Sequence, residues 1–192
     1  MKTTFTFILL AIAVSGSAQT ERKTWHLGGG FNAGFDTGNY DFTPNGLYLQ
    51  NGYFIKKNLE IGLHLSSEYY SLKNYDNGKF TTGRSYVNAA FTPYARYYLS
   101  KTKLKPYLQG MAGVVFKVFR LSVNDANASV ISTSNFYSTA TFGAGVSYFP
   151  YRNWGIEAGL DYRIIDEFPD NTHWSSPLSL HIGLKSVISS KK

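Results

Sequence analysis

An all-β fold is predicted, an eight-stranded antiparallel up-and-down barrel that spans a membrane. Three observations lead there. Apolar and polar residues alternate with a period of two along most of the chain. The connections between alternating segments are short and long in turn. The glycines within those segments gather on the polar face. Composition agrees, with 17% aromatic residues, 18 Gly and only 16% charged residues among 192, a balance that suits β-structure and suits a coiled coil badly. There is no cysteine, which excludes disulfides, a thiolate metal site and a cysteine nucleophile.

The first element is an address. Met1-Lys2-Thr3-Thr4 is a short basic start, Phe5 to Val14 is apolar apart from Thr6, and Ser15-Gly16-Ser17-Ala18 closes the run with small residues. Residues 1–18 therefore read as a signal peptide cleaved after Ala18, and residues 19–192 as a single barrel domain. The apolar run is too short to cross a bilayer as a helix.

The first strand begins at Trp25, where Trp25, Leu27, Gly29, Phe31, Ala33 and Phe35 share one face and His26, Gly28, Gly30, Asn32 and Gly34 the other. A second, weaker alternation covers Leu47–Lys56. In the third, Leu59, Ile61, Leu63 and Leu65 alternate with Glu60, Gly62, His64 and Ser66, and the strand reaches Tyr70. Weaker patterns follow at Tyr86–Leu99, Lys105–Phe119 and Phe136–Phe149. Pro93 interrupts the fourth strand by removing a ladder donor, and a bulge is expected there. The seventh strand is the clearest: Trp154, Ile156, Ala158, Leu160, Tyr162 and Ile164 alternate with Gly155, Glu157, Gly159, Asp161 and Arg163. The eighth sets Leu178, Leu180, Ile182 and Leu184 against Ser179, His181, Gly183 and Lys185. Strands of this length are long enough to cross a membrane when tilted, which takes ~9–11 residues.

Short connections fall at Lys56–Asn58, Ser100–Leu104 and Pro150–Asn153, and long polar ones at Thr37–Gly46, Leu72–Ser85, Arg120–Asn135 and Glu167–Ser176. Both termini and the short turns thus share one end of the barrel. Alternation alone does not say which face is inside, and a soluble lipocalin-like carrier would bury the apolar one. Volume decides: eight strands enclose a space barely wide enough for side chains. Gly28, Gly30, Gly34, Gly52, Gly62, Gly113, Gly143, Gly145, Gly155, Gly159 and Gly183 all lie on the polar face, against Gly29 and Gly110 on the other. The polar face is therefore expected inside and the apolar face against lipid.

Aromatic residues then fall into two belts. Trp25, Tyr53, Tyr97, Tyr148 and Trp154 lie outside near the short-turn ends, as a periplasmic girdle, and Phe35, Tyr69, Phe116, Phe136 and Tyr162 near the long-loop ends. The formal charge of +7 belongs to one rim. Arg22, Lys23, Lys56, Lys57, Lys101, Lys103, Lys105, Arg152, Lys191 and Lys192 stand there against Glu21 alone. Asp36, Asp41, Asp76, Asp125, Asp166, Glu167 and Asp170 outnumber Lys73, Lys79, Arg84 and Arg120 at the other end. A nucleic-acid site would gather its cations on a groove or face, so no nucleic-acid partner is expected. Cationic turns suit anionic headgroups of the periplasmic leaflet, which directs the long loops outward.

Three stretches carry a resemblance: Gly52-Tyr53-Phe54-Ile55-Lys56-Lys57-Asn58-Leu59-Glu60-Ile61-Gly62, Pro93-Tyr94-Ala95-Arg96-Tyr97-Tyr98-Leu99 and Gly143-Ala144-Gly145-Val146-Ser147-Tyr148-Phe149. They resemble the outer membrane β-barrel domain family, small porin-like eight-stranded barrels of the OmpA and OmpX type from Gram-negative envelopes. The resemblance covers essentially all of the mature chain. It implies insertion by the barrel assembly machinery and contact with outer membrane lipids and lipopolysaccharide. The chain ends on Ser189-Ser190-Lys191-Lys192 where many such proteins end on a terminal aromatic.

With the polar face inside, the interior holds Glu60, Glu68, Glu157 and Asp161 against Arg96, Lys117, Arg163 and Lys185, with Gln109 as a neutral partner. Four charges of each sign in a narrow lumen are expected to neutralise one another, since an unpaired buried charge costs several kcal/mol. A bidentate contact from Arg96 to the carboxylates of Glu60 and Glu157 is expected. His26, His64 and His181 share this face, with Ser66 and Ser179 two residues from His64 and His181, but the sites are internal and no Gly-x-Ser-x-Gly motif is present. Asp166, Glu167 and Asp170 read as a solvated loop run. Catalytic residues, metal and cofactor are expected to be absent. The resulting reading is a non-enzymatic outer membrane barrel with an envelope structural or surface-interaction role. The alternatives are a narrow channel for small solutes and a lipid-modifying enzyme.

Overall fold

The structure is a computed structural model and describes residues 24–35, 42–76, 79–123, 131–151, 153–166 and 178–189. Eight strands form in chain order: β1 Thr24–Phe35, β2 Phe42–Lys56, β3 Leu59–Asp76, β4 Lys79–Tyr98, β5 Leu104–Val123, β6 Ile131–Tyr148, β7 Trp154–Asp166 and β8 Leu178–Ser189. Each pairs antiparallel with its chain neighbours, and β1 pairs with β8, from Thr24↔Ser189 to Gly34↔Ser179, so the sheet closes. Closure leaves no sheet edge with unsatisfied backbone groups, the condition for a β-structure to cross lipid. No helix among the described residues is long and apolar enough to span a membrane.

The barrel is inside out relative to a soluble protein. Side chains on the apolar face point outward: Phe31 is 67% exposed, and Leu27, Leu49, Ile61, Leu108, Phe142, Ile156, Leu160, Ile182 and Leu184 are likewise exposed. The charged and amide side chains of the other face fill the interior. Trp25, Tyr97 and Trp154 are exposed at the short-turn end, with Tyr53 and Tyr148 half-buried beside them. Trp25 packs on Tyr53 at 4.9 Å, and Trp154 stacks on Tyr151 at 5.1 Å. Tyr69, Phe136 and Tyr162 are exposed toward the other end.

The expected long connections are shorter than their sequence suggests. β3 runs on to Asp76 and β4 starts at Lys79, with Asp76↔Lys79 in register. Most of the span Leu72–Ser85 is therefore paired strand. β5 likewise extends to Val123, β6 begins at Ile131, and β2 begins at Phe42. Alternation fades in these extensions, while backbone pairing needs no apolar face to continue. Residues 1–23, which include the expected signal peptide at 1–18, and most loop acids lie outside the described residues.

Pro93 corrects a second expectation. No bulge forms. Pro93 pairs with Leu63 in regular register toward β3, and on the β5 side pairing passes from Phe91↔Val114 to Tyr94↔Met111 without a shift. The missing donor is absorbed by a gap in one ladder. Register shifts occur instead at Asn32/Ala33, Phe54/Lys56 and Asn74/Tyr75.

Candidate functional site

The polar interior is the site that the fold builds, and register decides which residues meet there. One row of register partners runs Glu60↔Arg96↔Gln109↔Gly143↔Asp161↔Ser179 across β3 to β8. A second runs Ser147↔Glu157↔Gly183↔Gly30↔Tyr48↔Ser66 through the closure. Residues of one row are neighbours on the wall, and the narrow lumen lets the two rows touch across the axis.

The floor lies at the short-turn end. Phe54, Tyr98 and Tyr107 form a buried aromatic cluster. The His26 ring meets Phe54 edge-on at 4.5 Å and stacks on Phe149 at 6.1 Å. His26 Nδ1 lies 3.2 Å from Glu60 Oε2, and neither ring nitrogen makes a hydrogen bond.

Above the floor sits a four-charge cluster. Lys185 Nζ donates to both oxygens of Glu60, at 3.0 and 3.2 Å. Tyr98 OH donates to Glu60 Oε2 at 2.8 Å and accepts from Lys185 Nζ at 2.8 Å. Tyr94 OH donates to Glu60 Oε1. Arg96 Nη1 donates to Glu157 Oε2 at 2.8 Å, while Nε and Nη2 both donate to Gln109 Oε1, at 3.0 and 2.7 Å. Its Nη2 also reaches Gln50 Oε1 at 3.1 Å, and the guanidinium lies 4.1 Å from the Tyr107 ring centroid. Glu157 Oε1 accepts from Gln50 Nε2 at 2.6 Å and from Tyr48 OH at 3.1 Å. The expected bidentate contact from Arg96 to carboxylates is thus corrected. Its fork closes on the amide oxygen of Gln109, its row neighbour, and Glu60 is held by Lys185 and two tyrosines instead.

Toward the long-loop end, Gln109 Nε2 donates to Asp161 Oδ1 at 2.6 Å. His181 Nδ1 lies 2.8 Å from Asp161 Oδ2, and His181 Nε2 lies 2.8 Å from Tyr107 OH. With Nδ1–H donating to the carboxylate, Nε2 accepts from the phenol. Arg163 then grips Glu68 through two parallel bonds of 2.7 and 2.8 Å, the planar fork-to-fork match. Lys117 is half-buried on β5, its Nζ 5.7 Å from the Tyr137 ring centroid.

Among the interior residues read from the sequence, Glu60, Glu68, Arg96, Gln109, Glu157, Asp161 and Lys185 are buried, and Arg163 and Lys117 are partly so. Lys105, assigned to the cationic rim, is instead fully buried at the start of β5. It shares strand parity with Tyr107 and Gln109, and β5 already pairs at Leu104↔Tyr148, which turns Lys105 inward. Lys56, Lys57 and Lys101 are exposed at the rim.

The sequence reading missed the tyrosines. Tyr48, Tyr94, Tyr98 and Tyr107 are buried and complete the network. Parity would have found them, since Tyr94 and Tyr98 flank Arg96 at two-residue spacing. The wall glycines make room for them. A Cβ on Gly62 would stand 2.7 Å from Tyr94 Cε1, and one on Gly159 would stand 2.6 Å from His181 Cε1. Gly183 faces Tyr48 OH in the same way. A small residue on one strand thus answers a large ring from another.

Chemically, this interior is a set of mutually paired buried charges. Glu60, Arg96, Glu157 and Lys185 are each no more than 2% exposed. No group of three His, Asp or Glu is arranged to hold a metal among the described residues.

Comparisons with known proteins agree with this architecture. A profile of the outer membrane protein beta-barrel domain matches residues 5–184. The attachment invasion locus protein Ail of Yersinia pestis is similar in fold, with 14% identity, TM-score 0.55, and coverage of 87% of this chain and 99% of that one. The N-terminal β-barrel domain of Pseudomonas aeruginosa OprF gives 16% identity, TM-score 0.55, and coverage of 87% and 98%. Neisserial surface protein A gives 17% identity, TM-score 0.50, and coverage of 86% and 95%. The comparison with curated proteins finds no match. The chain belongs to the outer membrane protein beta-barrel domain family and is an outer membrane β-barrel.

Proposed function

We propose that this protein is a non-enzymatic, closed barrel that serves the envelope as a structural or surface-interaction protein, with its long connections facing outward. One observation carries the reading: the layer of Glu60, Arg96, Glu157 and Lys185 fills the lumen with mutually paired, buried side chains. A polar interior of this kind fixes the wall strands in place and offers no path for hydrated solutes. The Asp161–His181–Tyr107 arrangement resembles a catalytic relay, but its His181 is already held on both ring nitrogens and is buried. A lipid substrate would have to reach it through the wall. That one structural neighbour is an attachment invasion locus protein supports a surface role.

The exposed lysines Lys56, Lys57 and Lys101 mark the short-turn rim. Their charge suits the anionic periplasmic leaflet, as do the aromatic residues just above them. Outer membrane lipids, including lipopolysaccharide around the outer half, are the partners this belt is built for. Export through a cleaved leader at residues 1–18 and insertion by the barrel assembly machinery complete the reading. The test is an epitope inserted in the 167–177 connection, compared with one inserted between Lys57 and Asn58. On intact cells, antibody should bind the first and not the second. Binding to the second alone would overturn the orientation and with it the surface role.

A further inference from the structure

The lipid-facing wall carries one side chain that does not suit lipid. Asn51 on β2 alternates with the buried Gln50 and Gly52, so it points outward, and it is exposed. Among the described residues it is the one carboxamide or charged side chain on the outer wall between the two aromatic belts. Its register partners are Leu27 on β1 and Leu63 on β3. Its same-face neighbours along β2 are Leu49 and Tyr53, and the Tyr53 ring packs on Trp25 at 4.9 Å. The leucines offer an amide neither a donor nor an acceptor. Asn51 lies two residues inward of Tyr53. At ~3.3 Å per residue and a strand tilt of ~40°, that sets it about 5 Å deeper than the belt, among acyl chains that offer no hydrogen bond either.

We propose that the wall around Asn51 is where a second copy of this chain docks, the two Asn51 carboxamides hydrogen-bonding to each other across a two-fold axis along the membrane normal. Depth and chemistry both select this occupant. Copies of one chain in one membrane share an orientation, so a two-fold along the normal brings Asn51 opposite its own copy at the same depth. A carboxamide carries two donor hydrogens and an acceptor oxygen, which makes it complementary to itself: Nδ2 of each copy donates to Oδ1 of the other. A lipid ester carbonyl could accept from Nδ2 but has nothing to donate to Oδ1. Leu27 and Leu49, both exposed beside Asn51, supply contact area without preference, because acyl chains are as apolar as leucine. The amide pair is therefore what favours a protein neighbour over a lipid one.

The test is energy transfer between whole barrels reconstituted in phosphatidylcholine vesicles. The chain has no cysteine, so Lys57→Cys at the exposed rim takes a donor dye in one preparation and an acceptor dye in another. Mixed in one membrane and diluted stepwise with lipid, this parent should show more transfer than randomly placed barrels give. Asn51→Leu in the same background sets an apolar side chain against lipid and leaves the lumen untouched, so it folds. It should need about 3- to 20-fold more protein per lipid to reach the same transfer, the range set by a hydrogen bond between polar side chains of membrane segments. Transfer in the parent no higher than random would overturn the proposal and return the amide to lipid. Equal association of the parent and Asn51→Leu would overturn it as well, by placing the contact on another face.

Discussion

The contact between Arg96 and Glu157 can be tested by breaking each side and then both. Arg96→Met keeps length and apolar stem and removes the charge with its five donors. Glu157 then loses its 2.8 Å ion pair and keeps Gln50 and Tyr48 as donors, with Lys185 Nζ at 3.8 Å. Gln109 loses two bonds to its amide oxygen. Removing one partner of a buried pair costs about 3–5 kcal/mol. Lys185 already serves Glu60 and stands too far from Glu157 for a hydrogen bond, so the full range is expected. Glu157→Gln strands Arg96 in the same way but leaves it the amide oxygens of Gln50 and Gln109, so its cost falls toward the lower end. In the double variant no buried charge is left by the broken pair, and its loss should fall below the sum of the singles by about 1–3 kcal/mol. Urea unfolding from phospholipid vesicles, followed by Trp25 and Trp154 fluorescence, reads all three. Single losses under about 1 kcal/mol that simply add in the double would refute a paired, desolvated network.

Two further outcomes follow from the wall. Gly159→Val would set side-chain atoms against His181, so the ring must leave Asp161 or Tyr107, and a loss of about 1–3 kcal/mol in the same unfolding assay is expected from overpacking; an unchanged midpoint would mean that His181 does not press on β7. Leu160→Arg, one residue away on the opposite face, should cost about 2–4 kcal/mol in a bilayer by placing a cation in lipid, and a negligible cost would contradict the assigned outer face.

How legible this was depended on what each residue had to satisfy. The alternation through Trp154–Ile164 follows directly from lipid on one side and a polar lumen on the other, so β7 is legible to within two residues of its observed end. The extensions of β3 and β4 beyond Tyr70 and before Tyr86 carry no such alternation, and only backbone pairing reveals them. Parity placed Glu60, Arg96 and Glu157 on one face. The expected contact of Arg96 with Glu157 forms, at 2.8 Å, and that with Glu60 does not, because partners in a lumen depend on how the closed strands are staggered, which no single strand carries. Arg96 therefore closes on Gln109, its neighbour in the row, and Glu60 is taken by Lys185 from β8. Lys105 was misplaced because it follows a lysine-rich turn, although its parity with Gln109 already turns it inward.

On the proposed reading the lumen is closed at the Glu60–Arg96–Glu157–Lys185 layer. Current recording on the purified, folded barrel in a planar lipid bilayer with concentrated potassium chloride decides it. The structure predicts a flat baseline with no unitary steps across the accessible voltages. Reproducible steps of one unit conductance, present with the folded protein and lost when it is unfolded, would contradict the claim.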